Sequence, residues 1–250
     1  MSDMIAVTPE EALKKTNVLH ECKIDGAQHT WNGSQLLSSR NIDRSDRFPH
    51  IVAELKQMSW EVRGEVAVPF GNILTLNKKE NWHLSRFYAF KMLNWSNQNT
   101  RDADTMDNRR LIKKAFKQHD KFTNLRYPFE FPDFQTAWNH ILKYKLEGVV
   151  LKDLSSSKEW KCKHYKEEKL PIIDYVPGSV KGAFVILRKG VRSKVSGTSV
   201  MLVNKYKKML AEGKAPYAEI EYLFLTDNGV PFQPKLRDID TLAMLSSKPK

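Results

Sequence analysis

Cysteine is nearly absent: 250 residues hold only Cys22 and Cys162. Two thiols cannot build a disulfide framework, and such poverty fits a reducing compartment. Apolar runs are short. None approaches the roughly 18 residues of a membrane-spanning helix, and the longest, such as 183–187, are strand-sized. The start of the chain, MSDMIAVTPEEALKK, lacks the basic-then-apolar order of a secretory signal. The histidines fall at no metal-ligand spacing, and no internal repeat or low-complexity segment is visible. These absences lead us to expect a soluble, monomeric, cytoplasmic protein with no membrane partner.

Acid is also in deficit. There are 29 Asp+Glu against 41 Lys+Arg, a formal charge of +12. Apolar residues make up 41%, enough for a globular core, and the length allows one large domain or two small ones. The excess is densest near the C-terminus. Between 178 and 214 stand Lys181, Arg188, Lys189, Arg192, Lys194, Lys205, Lys207, Lys208 and Lys214, with Glu212 as the lone acid. A basic stripe of this density reads either as a polyphosphate-binding surface or as a solvated face.

Alternation predicts strands over 18–25, 34–40, 59–69, 86–93, 148–151 and 159–165, with Asn32-Gly33 as a hairpin turn. In 59–69, Trp60, Val62, Val66 and Val68 share one face, and Glu61, Arg63 and Glu65 the other. Helices are predicted over 48–58, 105–119 and 134–145. Beyond Tyr165 the composition changes: 166–169 is charged, and Pro171 and Pro177-Gly178 interrupt the chain soon after. Strands over 182–188, 199–204 and 218–225, with a helix near 205–212, suit a small β-barrel. The domain boundary is expected near 166–172.

Charge intrudes where strands should be apolar. Glu21, Lys23 and Asp25 share a face of the first strand, and Cys22 and Ile24 point the other way, into the core. Glu147 opens the strand over 148–151, and Lys161 and Lys163 share a face of the next, opposite Trp160 and Cys162. A lone charge in a strand ordinarily sits on its solvated side; the order of these charges along the chain is what carries information.

In that order the sequence resembles the covalent nucleotidyltransferases, a superfamily of ATP-dependent DNA ligases, RNA ligases and mRNA capping enzymes. Lys23-Ile24-Asp25-Gly26 resembles the nucleotidyl-lysine motif K-x-D-G, and Ser39-Arg40 the arginine that follows it. EVRGE at 61–65, FYAF at 87–90, EGVVLK at 147–152 and Lys161-Cys162-Lys163 resemble the later motifs in sequence. The segment AEIEYLFLTDNGVPFQPKLRDID at 218–240 is similar to the end of a ligase oligonucleotide-binding (OB) barrel. The likeness covers nearly the whole chain and is nearest to minimal viral or phage DNA ligases, for which the compartment would be the host cytoplasm.

The resemblance implies an α+β fold: an ATP-grasp-like nucleotidyltransferase (adenylation) domain over 1–167, with antiparallel sheets and flanking helices, then an all-β OB-fold barrel over 168–250. It implies ATP and Mg²⁺ (or Mn²⁺ in its place) as cofactors and nicked duplex DNA as partner. Lys23 would be the nucleophile, made reactive by burial and nearby positive charge, with Lys161 and Lys163 stabilising the α-phosphate. Glu147, with Glu65, would hold the metal. Arg40 and Glu65 would contact phosphate and ribose, Phe90 would stack on the base, and Glu21 would meet the base edge. Asp25 and Gly26 would shape the loop, and Lys235 and Arg237 would orient the leaving pyrophosphate. The basic stripe from Lys181 to Lys208 would hold the duplex. Two positions depart from the family pattern: Gln28 replaces an arginine, and Lys91 an acid. The alternatives are an RNA ligase, a capping guanylyltransferase and a non-catalytic nucleic-acid-binding relic. NAD is not expected as the adenylate donor.

Overall fold

The computed structural model describes residues 4–96, 98–117, 121–156, 158–178 and 182–241. The chain divides into two compact units, Met1–His164 and Tyr165–Lys250. Among the described residues, no helix is long and apolar enough to cross a membrane.

Two sheets build the first unit. In one, the spatial order is Ile5–Ala6, Glu159–Lys163, Gly148–Asp153, Val18–Lys23 and Glu130–Phe131. In the other, it is Leu36–Ser38, Ala27–Trp31, Trp60–Ala67, Arg86–Trp95 and Gln98–Asn99, with Leu125–Arg126 beside Arg86–Trp95. Pairing is antiparallel apart from the two short edge strands Ile5–Ala6 and Leu125–Arg126. Each sheet is amphipathic by alternation and buries one face. Cys22, Val149, Leu151, Trp160 and Cys162 pack under the helix Phe134–Tyr144. Trp31, Val62, Val66, Phe87 and Met92 pack with Ile51 and Leu55 of the helix Pro49–Leu55 and Ile112 of the helix Thr105–Lys117. Each such side chain contributes roughly 1.5–3 kcal/mol when fully buried. Both thiols are core residues, as alternation predicts, and burial pushes each up to about 12.

The chain passes from the first sheet to the second at Asp25-Gly26. A Cβ at Gly26 would lie 2.2 Å from the Val66 carbonyl oxygen, far inside van der Waals contact, so glycine is what allows this crossing.

The second unit is a closed five-stranded barrel. The strand Lys166–Val176 pairs with Tyr217–Tyr222 through its first half and with Ala183–Arg188 through its second. A bulge between Ile172 and Asp174 marks the bend. Val191–Val195 pairs with Ala183–Arg188, and Lys235–Asp240 with Tyr217–Tyr222. A parallel bridge, Ser196 to Lys235, closes the ring. Phe184, Ile186, Val195, Ala218, Ile220 and Ile239 fill it.

In the second unit the structure departs from the sequence reading at 199–204, 166–169 and 191–195, among other places. The segment 199–204 is not a strand: Ser199 accepts a hydrogen bond from the Leu202 amide at 3.2 Å and caps the helix Val200–Ala211. Its apolar run VMLV fits either period, and the cap, with Leu202 and Met209 buried seven residues apart, decides for helix. The charged stretch 166–169, at the expected domain boundary, is the start of a strand, and it pairs residue by residue with 219–222. The strand Val191–Val195 has no counterpart among the predicted elements, since Arg192 and Lys194 hide its short apolar face.

Candidate active site

Register creates the central feature. Gly148 lies opposite Lys23 on one side and opposite Lys163 on the other. Glu147, one residue earlier, therefore enters between two lysines. Its Oε2 accepts from Lys23 Nζ at 2.8 Å, and its Oε1 pairs with Lys163 Nζ at 2.7 Å. The left-handed cap Lys145 ends the helix Phe134–Tyr144 and turns the chain into this position. Gly148 is required beside it, because a Cβ there would collide with the Cys162 carbonyl.

Lys23 is not neutral in this arrangement. Burial opposes its charge, but Glu147, with Glu65 and Asp25 behind it, outweighs burial and raises its pKa above the ordinary lysine value. The direction is opposite to the lowering that burial and neighbouring cations alone would give, because the facing carboxylates favour the protonated amine.

The neighbouring carboxyls are perturbed in turn. Burial and Glu147 push Asp25 up to about 6. Burial pushes Glu65 up to about 7, with Lys23 opposing and Glu147 and Asp25 assisting. Asp25 also orders the loop, since its Oδ1 accepts from the Ile73 amide at 3.2 Å at the start of the helix Ile73–Asn77.

A cleft of about 150 Å³ opens over Lys23 between the two sheets. Glu21, Val150 and Lys152 line it from the first sheet, and Gln28, Glu65 and Phe90 from the second. Glu21 is 2% exposed and is not free to read a base edge: Lys152 Nζ lies 2.7 Å from its Oε2, and the Arg109 guanidinium 3.7 Å from its Oε1. Lys152 also sits over the Phe90 ring, 5.5 Å from its centroid. Sequence reasoning assigned no role to Lys152 or Arg109. For Lys152 the signal was present, since it ends EGVVLK on the same face as Val150. The helix that carries Arg109 matches no motif.

The remaining predicted residues are dispersed. Lys161 stands opposite Val150 on the Lys163 face and makes no ion pair among the described residues. Arg40 is exposed on the turn after Leu36–Ser38 and lines no cleft among the described residues. In the barrel, Arg237 donates to the buried Glu221, and Lys235 lies 3.9 Å from the same carboxylate and over the Tyr165 ring. Arg188 is not available to phosphate: its Nε donates to Glu168 at 2.9 Å and its Nη1 to the Gly229 carbonyl at 3.1 Å. Lys205 pairs with Asp238 at 2.9 Å. Lys189, Arg192, Lys194, Lys207 and Lys208 are exposed, with Lys208 only 3.9 Å from Glu212. Lys181 lies outside the described residues.

Among the described residues no three His, Cys, Asp or Glu side chains form a ready metal cage. The crowding of Glu147, Glu65 and Asp25 nevertheless fits a hard cation that uses one or two carboxylates and takes its other ligands from phosphate and water.

No family model matches the chain, and no curated protein does. Solved structures do. A Lig E DNA ligase superposes with a TM-score of 0.66 at 16% identity, over 96% of this chain and 100% of that one. The ligase domain of M. tuberculosis LigD gives 0.58 at 20% identity, over 98% and 97%. A protein described as Pmar-Lig_PreS3 gives 0.69 at 16% identity, over 94% of this chain and 66% of that one. The chain has the fold of the Lig E DNA ligase and of the LigD ligase domain. Its α+β unit of antiparallel sheets and its OB-type barrel are those expected from the motifs.

Proposed function

We propose that the chain is an ATP-dependent DNA ligase that seals nicks between a 3′-hydroxyl and a 5′-phosphate. The observation that supports this most strongly is a lysine at a strand end, bonded to a glutamate that is bonded to a second lysine, opening onto a cleft with an aromatic wall.

In the first step Lys23 Nζ bonds to the α-phosphorus of ATP. The bond from that phosphorus to the bridging oxygen breaks, and pyrophosphate leaves with the electron pair. The amine must enter this step neutral, so its proton, held against Glu147, first passes to solvent water. Lys161 and Lys163 offset charge on the α-phosphate. Glu147 and Glu65 would hold Mg²⁺ (or Mn²⁺), which when bound neutralises phosphate charge. Phe90 stacks on the base. Next, an oxygen of the 5′-phosphate attacks the lysyl-AMP phosphorus and the N–P bond breaks, returning Lys23. The 3′-hydroxyl then attacks the activated 5′-phosphate and AMP leaves. The exposed cations of the barrel, and Arg40, bind the phosphates flanking the nick.

Incubation with α-labelled ATP and Mg²⁺ should label the protein covalently, and Lys23→Ala should abolish the label. Equal labelling of the variant would refute the nucleophile, and preferential labelling by GTP would point to capping. Nicked DNA and nicked RNA duplexes, sealed side by side, then separate a DNA ligase from an RNA ligase.

A further inference from the structure

The first unit carries aromatic rings that its core does not use. Phe129 is 63% exposed and Tyr144 48% exposed, although large rings contribute most when buried. Phe129, Glu130 and Phe131 alternate along the edge of the first sheet, and Glu130 stands opposite Glu21. Glu21 lines the cleft, so the two phenylalanines face the other way, towards the helix Phe134–Tyr144. On that helix His140 and Tyr144 lie one turn apart. His140 stacks on Phe129 with planes 9° apart and centroids at 5.9 Å, and Tyr144 follows His140 at 4.5 Å. The buried Phe131 supports the row, 4.8 Å from Phe129. These rings line a groove of about 410 Å³ on the back of the sheet that carries Lys23.

Charge frames the row. Lys143 lines the groove and sits over the Tyr144 ring at 5.2 Å, and Lys145 follows soon after. Both are exposed, and among the described residues neither makes an ion pair. The nearby acids are already engaged. Glu130 pairs with Arg109, and with Lys113 at 2.6 Å. Asp133 accepts from the Thr136 amide at 2.7 Å and from its hydroxyl at 2.9 Å. Flat rings beside uncompensated ammonium groups suit a ligand with planar rings on an anionic chain. An added peptide strand does not suit this edge: Pro128 and Pro132 flank the two-residue strand Glu130–Phe131 and offer no amide hydrogen. A second copy of the chain would bring the same cations face to face. In a duplex the base faces are covered by their neighbours, so the rings call for an unpaired strand.

We propose that this groove binds unpaired DNA, with a base extending the Phe129–His140 stack and Lys143 meeting an adjacent phosphate. The choice of DNA over RNA rests on the ligase reading of the chain; the platform itself does not.

Fluorescence anisotropy of the full chain with short labelled strands of equal length provides the test. The strands are oligo-dT, oligo-U and an abasic DNA that keeps the phosphates and lacks the bases. Cations elsewhere on the chain can hold all three, so the base-dependent difference is what reports on the rings. Oligo-dT should bind about tenfold more tightly than the abasic strand, within the range for one base stacked on an aromatic side chain. Phe129→Ala should remove that advantage while leaving the abasic strand, the melting curve and the ATP label unchanged. Phe129→Trp should keep it. Lys143→Ala should lower the salt slope by about 0.7, the share of one phosphate on a single strand. Equal binding of oligo-dT and abasic DNA, or an advantage that survives Phe129→Ala, would overturn the proposal. Tighter binding of oligo-U than of oligo-dT would overturn the assignment to DNA. A dimer of the unaltered chain that Phe129→Ala disperses would give the groove to a second copy and overturn it too. Loss of the ATP label from the unaltered protein, with the oligo-dT advantage intact, would remove the ligase reading and leave the platform standing.

Discussion

Glu65 shows what assembling this site costs the protein. Its half-buried carboxyl stands in a cleft wall near two other carboxylates and is raised to about 7. An acid whose folded pKa exceeds its unfolded value binds extra protons in the native state. Its contribution to stability is therefore present at low pH and is lost as pH rises from the ordinary Glu value of 4.5 through about 7. Glu65→Gln removes that charge. At pH 8 the variant should be more stable than the unaltered protein by roughly 1–2 kcal/mol, since a tenfold change in proton affinity is worth about 1.4 kcal/mol before solvent screening and relaxation reduce it. Near pH 4 the two should melt together. Melting curves at both pH values check this; a variant less stable at pH 8 would show that the attraction to Lys23 outweighs the repulsion. Lys23 follows the opposite logic, because Glu147 stabilises its charged form.

Strand register turns these residues into a site, and register is where the sequence was most legible. Alternation along 18–25 and 159–165 set Lys23 and Lys163 on site faces and Cys22 and Cys162 in the core, and the structure agrees residue by residue. Alternation says nothing about which strands become neighbours. Hence the contact of Arg109 with Glu21, which joins a helix to a strand 88 residues earlier in the chain, had no local signal. The run VMLV misled for a different reason: four apolar residues carry no period, and the Ser199 cap that decides the matter is a single residue. The two glycine contacts rest on tertiary approach. Gly26→Ala should therefore destabilise the fold by about 1–3 kcal/mol, the usual range for overpacking. Denaturant unfolding measures the loss. An unchanged midpoint would mean that the two sheets can part at this crossing without penalty.

At the scale of the whole molecule, the +12 charge acts through those cations that have no internal partner. Arg188 and Lys205 are held by Glu168 and Asp238, so their charge is largely compensated before a ligand arrives. Lys189, Arg192 and Lys194 are exposed on and beside one hairpin, and among the described residues none makes an ion pair. The two groups should differ in binding to a nicked duplex. Each phosphate contact contributes about 0.9 to the dependence of log affinity on log salt. Reversing Lys189, Arg192 and Lys194 to Glu should lower that slope by about 2–3 and weaken binding most at low salt. Lys205→Ala should leave the slope nearly unchanged, because its removal frees Asp238 rather than exposing a phosphate site. A titration of nick affinity between low and moderate salt distinguishes the cases. If the triple reversal left the slope where it was, the hairpin would be a solvated face, and the duplex would have to be held by cations elsewhere on the chain.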